Sequence, residues 1–222
     1  MKLAIVVPVK SPRRAKHRLE ALLSAEERAT LAITMAHDVM GIVAQLTEYG
    51  RLVVSDDPDV LKAAREYGLE ALEDRRLQGQ SAAVQQGFAA SWDQGYTAAV
   101  TIPGDVPGVS VEELRDLCSY RPELEVLLAR DRERVGTNGL RLIPPHAITL
   151  RFGEDSYRLH RDEAVRANRS FETHDVEGLG CDLDRPEDVM AFQRLQRDCR
   201  TLRLLTELRV FDRVPAVVTP TI

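Results

Sequence analysis

A chain of 222 residues, 44% hydrophobic and 29% charged, is long enough for one α/β domain with a substantial core. Its formal net charge of -5 argues against a general nucleic-acid or anionic-membrane binder, and no apolar run approaches the roughly 20 residues of a spanning helix. Three widely spaced cysteines without a C-x-x-C pair, and histidines without H-E-x-x-H spacing, suggest neither a disulfide framework nor a zinc site.

Met1 to Val9 is a short apolar run that reads as the first strand. Because Met1-Lys2 leads straight into it, no signal peptide is expected and the cytoplasm is the default compartment. Ser24-Ala-Glu-Glu27 is a capping box that opens an amphipathic helix to about Glu48. Arg51 to Ser55 is the next strand. Asp57 as N-cap with Pro58 behind it starts a helix toward Tyr67, which Gly68 ends before a brief strand at Leu69 to Leu72.

A third helix is expected between Gly79 and Gly95, then a strand at Thr97 to Ile102. Ser110-Val-Glu-Glu113 repeats the capping box and begins a short helix toward Ser119. Strands at Leu124 to Ala129 and Leu140 to Ile143 follow, then helix from Asp155 to Asn168, strand from Phe171 to Asp175, and mostly helix from Pro186 to Arg209. Such alternation implies parallel strands joined by right-handed crossovers. Nothing divides the chain, so one domain is expected over residues 1–213. Residues 214–222 are expected to form a tail that is loose or used in subunit contacts.

Four stretches carry candidate chemistry. Lys10, Arg13, Arg14, Lys16 and Arg18 crowd the loop after the first strand, where cations would neutralise a triphosphate and its leaving pyrophosphate; a solvated basic loop is the plainer alternative. Asp105, in Pro-Gly-Asp-Val-Pro, is either a turn former or a hard oxygen ligand for Mg²⁺ at a strand's carboxyl end. Asp182 and Asp184 precede a helix, where one of them is expected as N-cap; spaced i, i+2, they also point the same way, and one could reach the metal held by Asp105. Finally, Gly153 before a helix leaves backbone N–H groups open to an anion, Ser156 adds a hydroxyl, and His160 lies one turn on; a capped helix start accounts for this cluster as well.

In order along the chain, several pieces resemble the guanylyltransferases that make the activated precursor of the deazaflavin coenzyme F-420. They are Val-Pro-Val-Lys10, Ala-Lys16-His-Arg18-Leu, Gly104-Asp105-Val-Pro107, Gly136-Thr-Asn138, Arg151-Phe-Gly153, Ser156 with His160, and Asp182-Leu-Asp184-Arg-Pro-Glu-Asp188. That family acts on 2-phospho-L-lactate, phosphoenolpyruvate or 3-phosphoglycerate. The resemblance implies a single-domain, Rossmann-like fold of the nucleotide-diphospho-sugar-transferase kind: a mixed, mostly parallel sheet with flanking helices.

The resemblance also implies roles. Lys10, Arg14, Lys16 and Arg18 would contact GTP, with Lys10, Lys16 and Asp105 catalytic. Asp105 and Asp184 would hold Mg²⁺, while Thr137, Gly153 and Ser156 would hold the phospho-acid. Ser81, in Gln80-Ser81, stands where the family usually shows Leu-Asn, at the nucleotide's ribose or base. A homodimer is implied by the family alone, and neither nucleic acid nor membrane is an expected partner. Sugar-phosphate and molybdopterin nucleotidyltransferases of the same fold carry a glycine-rich first loop, where this chain has Pro8-Val-Lys10-Ser-Pro12. A catalytically silent nucleotide-binding module is the remaining alternative.

Overall fold

The computed structural model describes residues 1–12, 16–74 and 79–214. All but the first residue of the expected tail, residues 214–222, lie outside the described residues. Among the described residues seven strands form one sheet: β1 (Leu3–Val9), β2 (Gly50–Ser55), β3 (Glu70–Glu73), β4 (Ala98–Thr101), β5 (Val126–Arg130), β6 (Thr137–Leu142) and β7 (Phe171–Thr173). Their order is β3-β2-β1-β4-β6-β5-β7. All neighbours pair in parallel except β6, which runs antiparallel to both β4 and β5. The expectation of parallel crossovers throughout therefore fails at β6, on both its connections. Only a short turn joins β5 to β6, and a turn of that length returns the chain antiparallel.

The helices are α1 (Ala25–Gln45), α2 (Pro58–Glu66), α3 (Gln80–Asp93), α4 (Val111–Ser119), α5 (Ser156–Arg166), α6 (Pro186–Arg194), α7 (Arg200–Glu207) and α8 (Val210–Arg213). Both capping boxes form: Ser24 with Glu27 opens α1 and Ser110 with Glu113 opens α4. Asp57 caps α2 with Pro58 at its first position. The stretch from Pro186 to Arg209, expected to be mostly helix, holds two helices, α6 and α7, parted after Leu195 where Gln196 takes a φ of 51°; Arg209, with the same angle, then separates α7 from α8.

Strand β1 is buried along its whole length, and its alternate residues feed two cores. Ile5 and Val7 pack with Val39, Met40, Val53, Val100 and Leu117 on one face. Ala4 and Val6 pack with Leu52, Val84, Phe88, Ala99 and Leu128 on the other. Helix α3 approaches β1 closely at Gly87, where a Cβ would lie 2.4 Å from Val6 Cγ1. A third cluster joins the chain's two ends, with Leu19, Leu22, Leu31 and Met35 against Leu183, Val189, Phe192, Leu205 and Val210. It holds the segment after the basic loop against the segment that carries Asp182 and Asp184.

Cys118 and Cys181 are buried, Cys199 is half-buried, and all three are free thiols. Burial pushes the Cys118 and Cys181 thiols up to about 12 and Cys199 to about 11, which keeps them protonated at neutral pH. Among the described residues no helix is long and apolar enough to cross a membrane.

Candidate functional site

Strands β1 and β4 are adjacent and parallel, with Val6 opposite Thr101, so their following loops emerge side by side at one edge of the sheet. The contact is close: a Cβ on Gly104 would lie 2.8 Å from Val9 Cγ2. Here the basic and acidic loops meet. Lys16 adopts a left-handed φ of 60°, just before a 3-10 turn at His17–Leu19 whose Leu19 is fully buried. That turn directs the Lys16 side chain inward until only 5% of it is exposed.

The Lys16 ammonium donates to Asp105 Oδ2 at 2.7 Å and lies 3.7 Å from Asp184 Oδ1. Arg18 donates to Asp184 Oδ2 at 2.7 Å. Burial alone would lower the Lys16 ammonium below its ordinary range; the carboxylates of Asp105, Asp184 and Asp182 outweigh it and raise the group. It is therefore a fixed cation at neutral pH.

Asp182 and Asp184 reach this point because Leu183 N–H donates to the carbonyl of Asp105, which lays their segment against the β4 loop. Neither acid caps α6, contrary to the sequence expectation. Asp188, inside the first turn, accepts from the backbone N–H groups of Asp184 and Arg185 and does that work. Asp182 is freed for another partner and accepts from Asn138 Nδ2 at 2.9 Å. Burial, then the neighbouring Asp105 charge, pushes the Asp182 carboxyl up to about 6.

The reversed strand matters here. Because β6 is antiparallel to β4, with Leu140 opposite Thr101, its beginning reaches the crevice, and its first residues are Thr137 and Asn138. Asn138 turns to Asp182 and Thr137 turns to the opposite face. There, Thr137 N–H donates to Ser156 Oγ at 2.9 Å, and Thr137 Oγ1 lies 3.0 Å from His160 Nδ1. All three side chains are buried. Gly153, three residues before α5, has a φ of 130° and nothing within 4 Å of where a Cβ would stand, leaving open space beside the helix start. Ser81, in the first turn of α3, accepts from Phe152 N–H at 2.9 Å and so ties that helix to the Gly153 loop.

The structure thus brings Lys16, Arg18, Asp105 and Asp184 into one charged cluster, with Thr137, Ser156 and the Gly153 loop on neighbouring segments. Lys10 sits exposed at the end of β1. Arg13 and Arg14 lie outside the described residues. Two carboxylates were not singled out from sequence as part of the site: Asp56 and Asp57, which accept from the backbone N–H and the hydroxyl of Ser11 and so brace the basic loop. Only the pairing of β1 with β2 places them there. A groove of about 600 Å³ between α3 and residues 145–150 lies on the flank and holds none of the candidate residues.

Asp105 and Asp184 suit a hard divalent cation. Both are about one-third exposed carboxylates, and they already share one cation in the Lys16 ammonium. Among the described residues no three His, Cys, Asp or Glu side chains form a metal cage. A magnesium ion carried on a triphosphate needs only one or two protein carboxylates, because phosphate and water fill the remaining positions.

Among solved structures, the chain is similar to one from Desulfovibrio desulfuricans G20 described as a nucleotide-diphospho-sugar transferase. The TM-score is 0.75 at 17% identity, covering 96% of this chain and 99% of that one, which establishes the fold. It is 32% identical over 194 residues to a phosphoenolpyruvate guanylyltransferase of Conexibacter woesei, covering 86% of each chain. It is 29% identical to a 2-phospho-L-lactate guanylyltransferase of Methanobrevibacter smithii, over 92% of this chain and 90% of that one. A 3-phospho-D-glycerate guanylyltransferase of Colwellia psychrerythraea is also 29% identical, over 90% of this chain and all of that one. The family described as "Guanylyl transferase CofC like" matches residues 3–213, from the first strand to the last helix, and the chain belongs to that family.

Proposed function

We propose that this protein transfers GMP from GTP to a small phospho-carboxylic acid (2-phospho-L-lactate, phosphoenolpyruvate or 3-phosphoglycerate) with release of pyrophosphate, a step of deazaflavin coenzyme biosynthesis. The observation that carries this reading is the Lys16 ammonium, buried and held between Asp105 and Asp184 at the carboxyl ends of β1 and β4. A fixed cation beside two carboxylates suits a metal-bound polyphosphate. The substrates are small and diffusible, and we place the enzyme in the cytoplasm without a nucleic-acid or membrane partner.

A phosphate oxygen of the acid attacks the α-phosphorus of GTP in line. The new bond is O–Pα, the bond broken is from Pα to the bridging oxygen of the β-phosphate, and pyrophosphate departs with both electrons. The second pKa of a phosphate monoester is about 6, so the nucleophile is already ionised and no general base is required. Mg²⁺, when bound through Asp105 and Asp184, would supply charge neutralisation on the triphosphate. Lys16, and Lys10 at the rim, stabilise the charge that accumulates on the leaving pyrophosphate. Arg18, paired with Asp184, keeps that carboxylate oriented toward the cluster. Thr137, Ser156 and the backbone around Gly153 hold the acid so that its phosphate meets Pα.

The decisive experiment measures pyrophosphate release over a matrix of four nucleoside triphosphates and the three acids. Release with GTP and at least one acid is expected. No release in any combination, or a nucleoside diphosphate as product, overturns the reading.

A further inference from the structure

His160 is wholly buried on α5, away from the charged cluster, yet it is hydrogen-bonded at both ring nitrogens. Its Nε2 accepts the backbone N–H of Arg151 at 2.9 Å. A neutral imidazole has one donor and one acceptor, so the proton sits on Nδ1 and is donated to Thr137 Oγ1, 3.0 Å away. Burial supports the neutral form, holding the imidazole down at about 4.

Two consequences follow for the hydroxyls. Thr137 Oγ1 has one lone pair filled by His160, so its own hydrogen cannot point at the ring. Ser156 Oγ has one lone pair filled by Thr137 N–H, so its hydrogen likewise points elsewhere. Each hydroxyl thereby keeps its hydrogen free to donate elsewhere, which a ligand of acceptors only, such as a phosphate or carboxylate, would match. The ring also packs edge-on against Phe152, 4.7 Å between centroids, and so fixes the loop leading into Gly153.

We propose that His160 is a positioning residue for the phospho-acid: by donating to Thr137 Oγ1 it fixes that hydroxyl as a donor to the acid's phosphate or carboxylate, without touching the acid itself. This rests on the acceptor site of the proposed function. Its reach is specific, since it concerns how the acid is held and leaves GTP binding untouched.

The test compares two variants of similar size and polarity, in steady-state assays with phosphoenolpyruvate, 2-phospho-L-lactate and 3-phosphoglycerate. His160→Asn keeps an amide donor near the Nδ1 position; His160→Gln moves its amide to the Nε2 level. In His160→Gln the KM for the preferred acid is expected to rise about tenfold, with kcat and the KM for GTP within about twofold, the loss of one hydrogen bond to a charged ligand. His160→Asn is expected to stay within about threefold of the parent on the same scale. In a Thr137→Val background the His160→Gln effect should vanish, because its target is gone.

An effect that persists in that background, or falls equally on GTP, overturns the proposal while leaving the acceptor site standing. If Thr137→Val itself changes the KM of none of the acids, the acceptor reading fails and the proposal falls with it. One measurement needs no variant: the ¹⁵N spectrum of the unaltered protein should show the His160 proton on Nδ1, and a proton on Nε2 overturns the proposal.

Discussion

The ammonium of Lys16 lies 2.7 Å from the carboxylate of Asp105, a residue 89 positions further along the chain. Neither side chain selects the other locally. They meet because β1 and β4 are parallel neighbours and the Leu19 cluster draws the basic loop inward. A buried ammonium that neutralises two carboxylates ties the two loops together, so substitutions here report on stability as well as on the proposed binding.

Removing that cation should leave Asp105 and Asp184 facing each other uncompensated. Lys16→Gln is expected to lower kcat/KM at least about a hundredfold, the loss of a charge-stabilising donor at the leaving group. Its thermal midpoint should also rise more on adding Mg²⁺ than the parent's does, since a divalent cation would take over the neutralisation. Equal Mg²⁺ responses by differential scanning calorimetry would separate the carboxylates from metal binding.

Asp105 is partly exposed and, among the described residues, makes one side-chain hydrogen bond, so its charge matters more to chemistry than to folding. Asp105→Asn is expected to fold with a near-native thermal midpoint and to lose at least about a hundredfold in kcat. Near-native turnover in the pyrophosphate assay would remove Asp105 from the mechanism.

The buried His160 predicts a pH dependence of stability. Its pKa is about 4 when folded, against an ordinary 6.5. The unfolded chain therefore binds more protons between those values, and stability is full above about 6.5 and falls as pH drops toward 4. The share from this residue is on the order of 3 kcal/mol. Asp182, raised to about 6, acts with the opposite sign over part of this window. Urea titrations of the parent and His160→Asn isolate the imidazole: the parent should lose more stability between pH 7 and pH 4.5 than the variant. Parallel losses would mean that the ring is charged when folded.

Arg141 is fully buried in β6, and its guanidinium donates to the carbonyls of Leu117, Cys118, Tyr120, Arg121 and Leu124 around the end of α4. It completes backbone bonds that the helix end cannot make for itself. Arg141→Met is expected to cost about 2–4 kcal/mol in a denaturant titration, from the carbonyls left without donors. Turnover per folded molecule should hold, because the guanidinium lies away from the crevice.

Element boundaries were legible where local chemistry decides them. The two Ser-x-x-Glu boxes and Asp57-Pro58 name their own partners within three residues, and each forms as read. Less local features were not legible. Asp182 and Asp184 look like caps because they precede Pro186, yet Asp188 supplies the cap from inside the turn. The sequence spacing is the same for both outcomes. What decides between them is distant in the chain: Lys16 and Arg18 draw Asp184 to the sheet edge, and Asn138 draws Asp182.

Hydrophobic periodicity and turn residues by themselves determined that this chain alternates strands and helices, and that cationic and acidic loops follow two of those strands. Tertiary structure alone decided that the two loops share an edge, that β6 runs backward so its first residues enter the crevice, and that His160 faces Thr137. The reason is range. Capping and periodicity act within a turn or two of the backbone, whereas strand order and side-chain pairing depend on contacts between residues tens of positions apart, which burial of the whole core selects together.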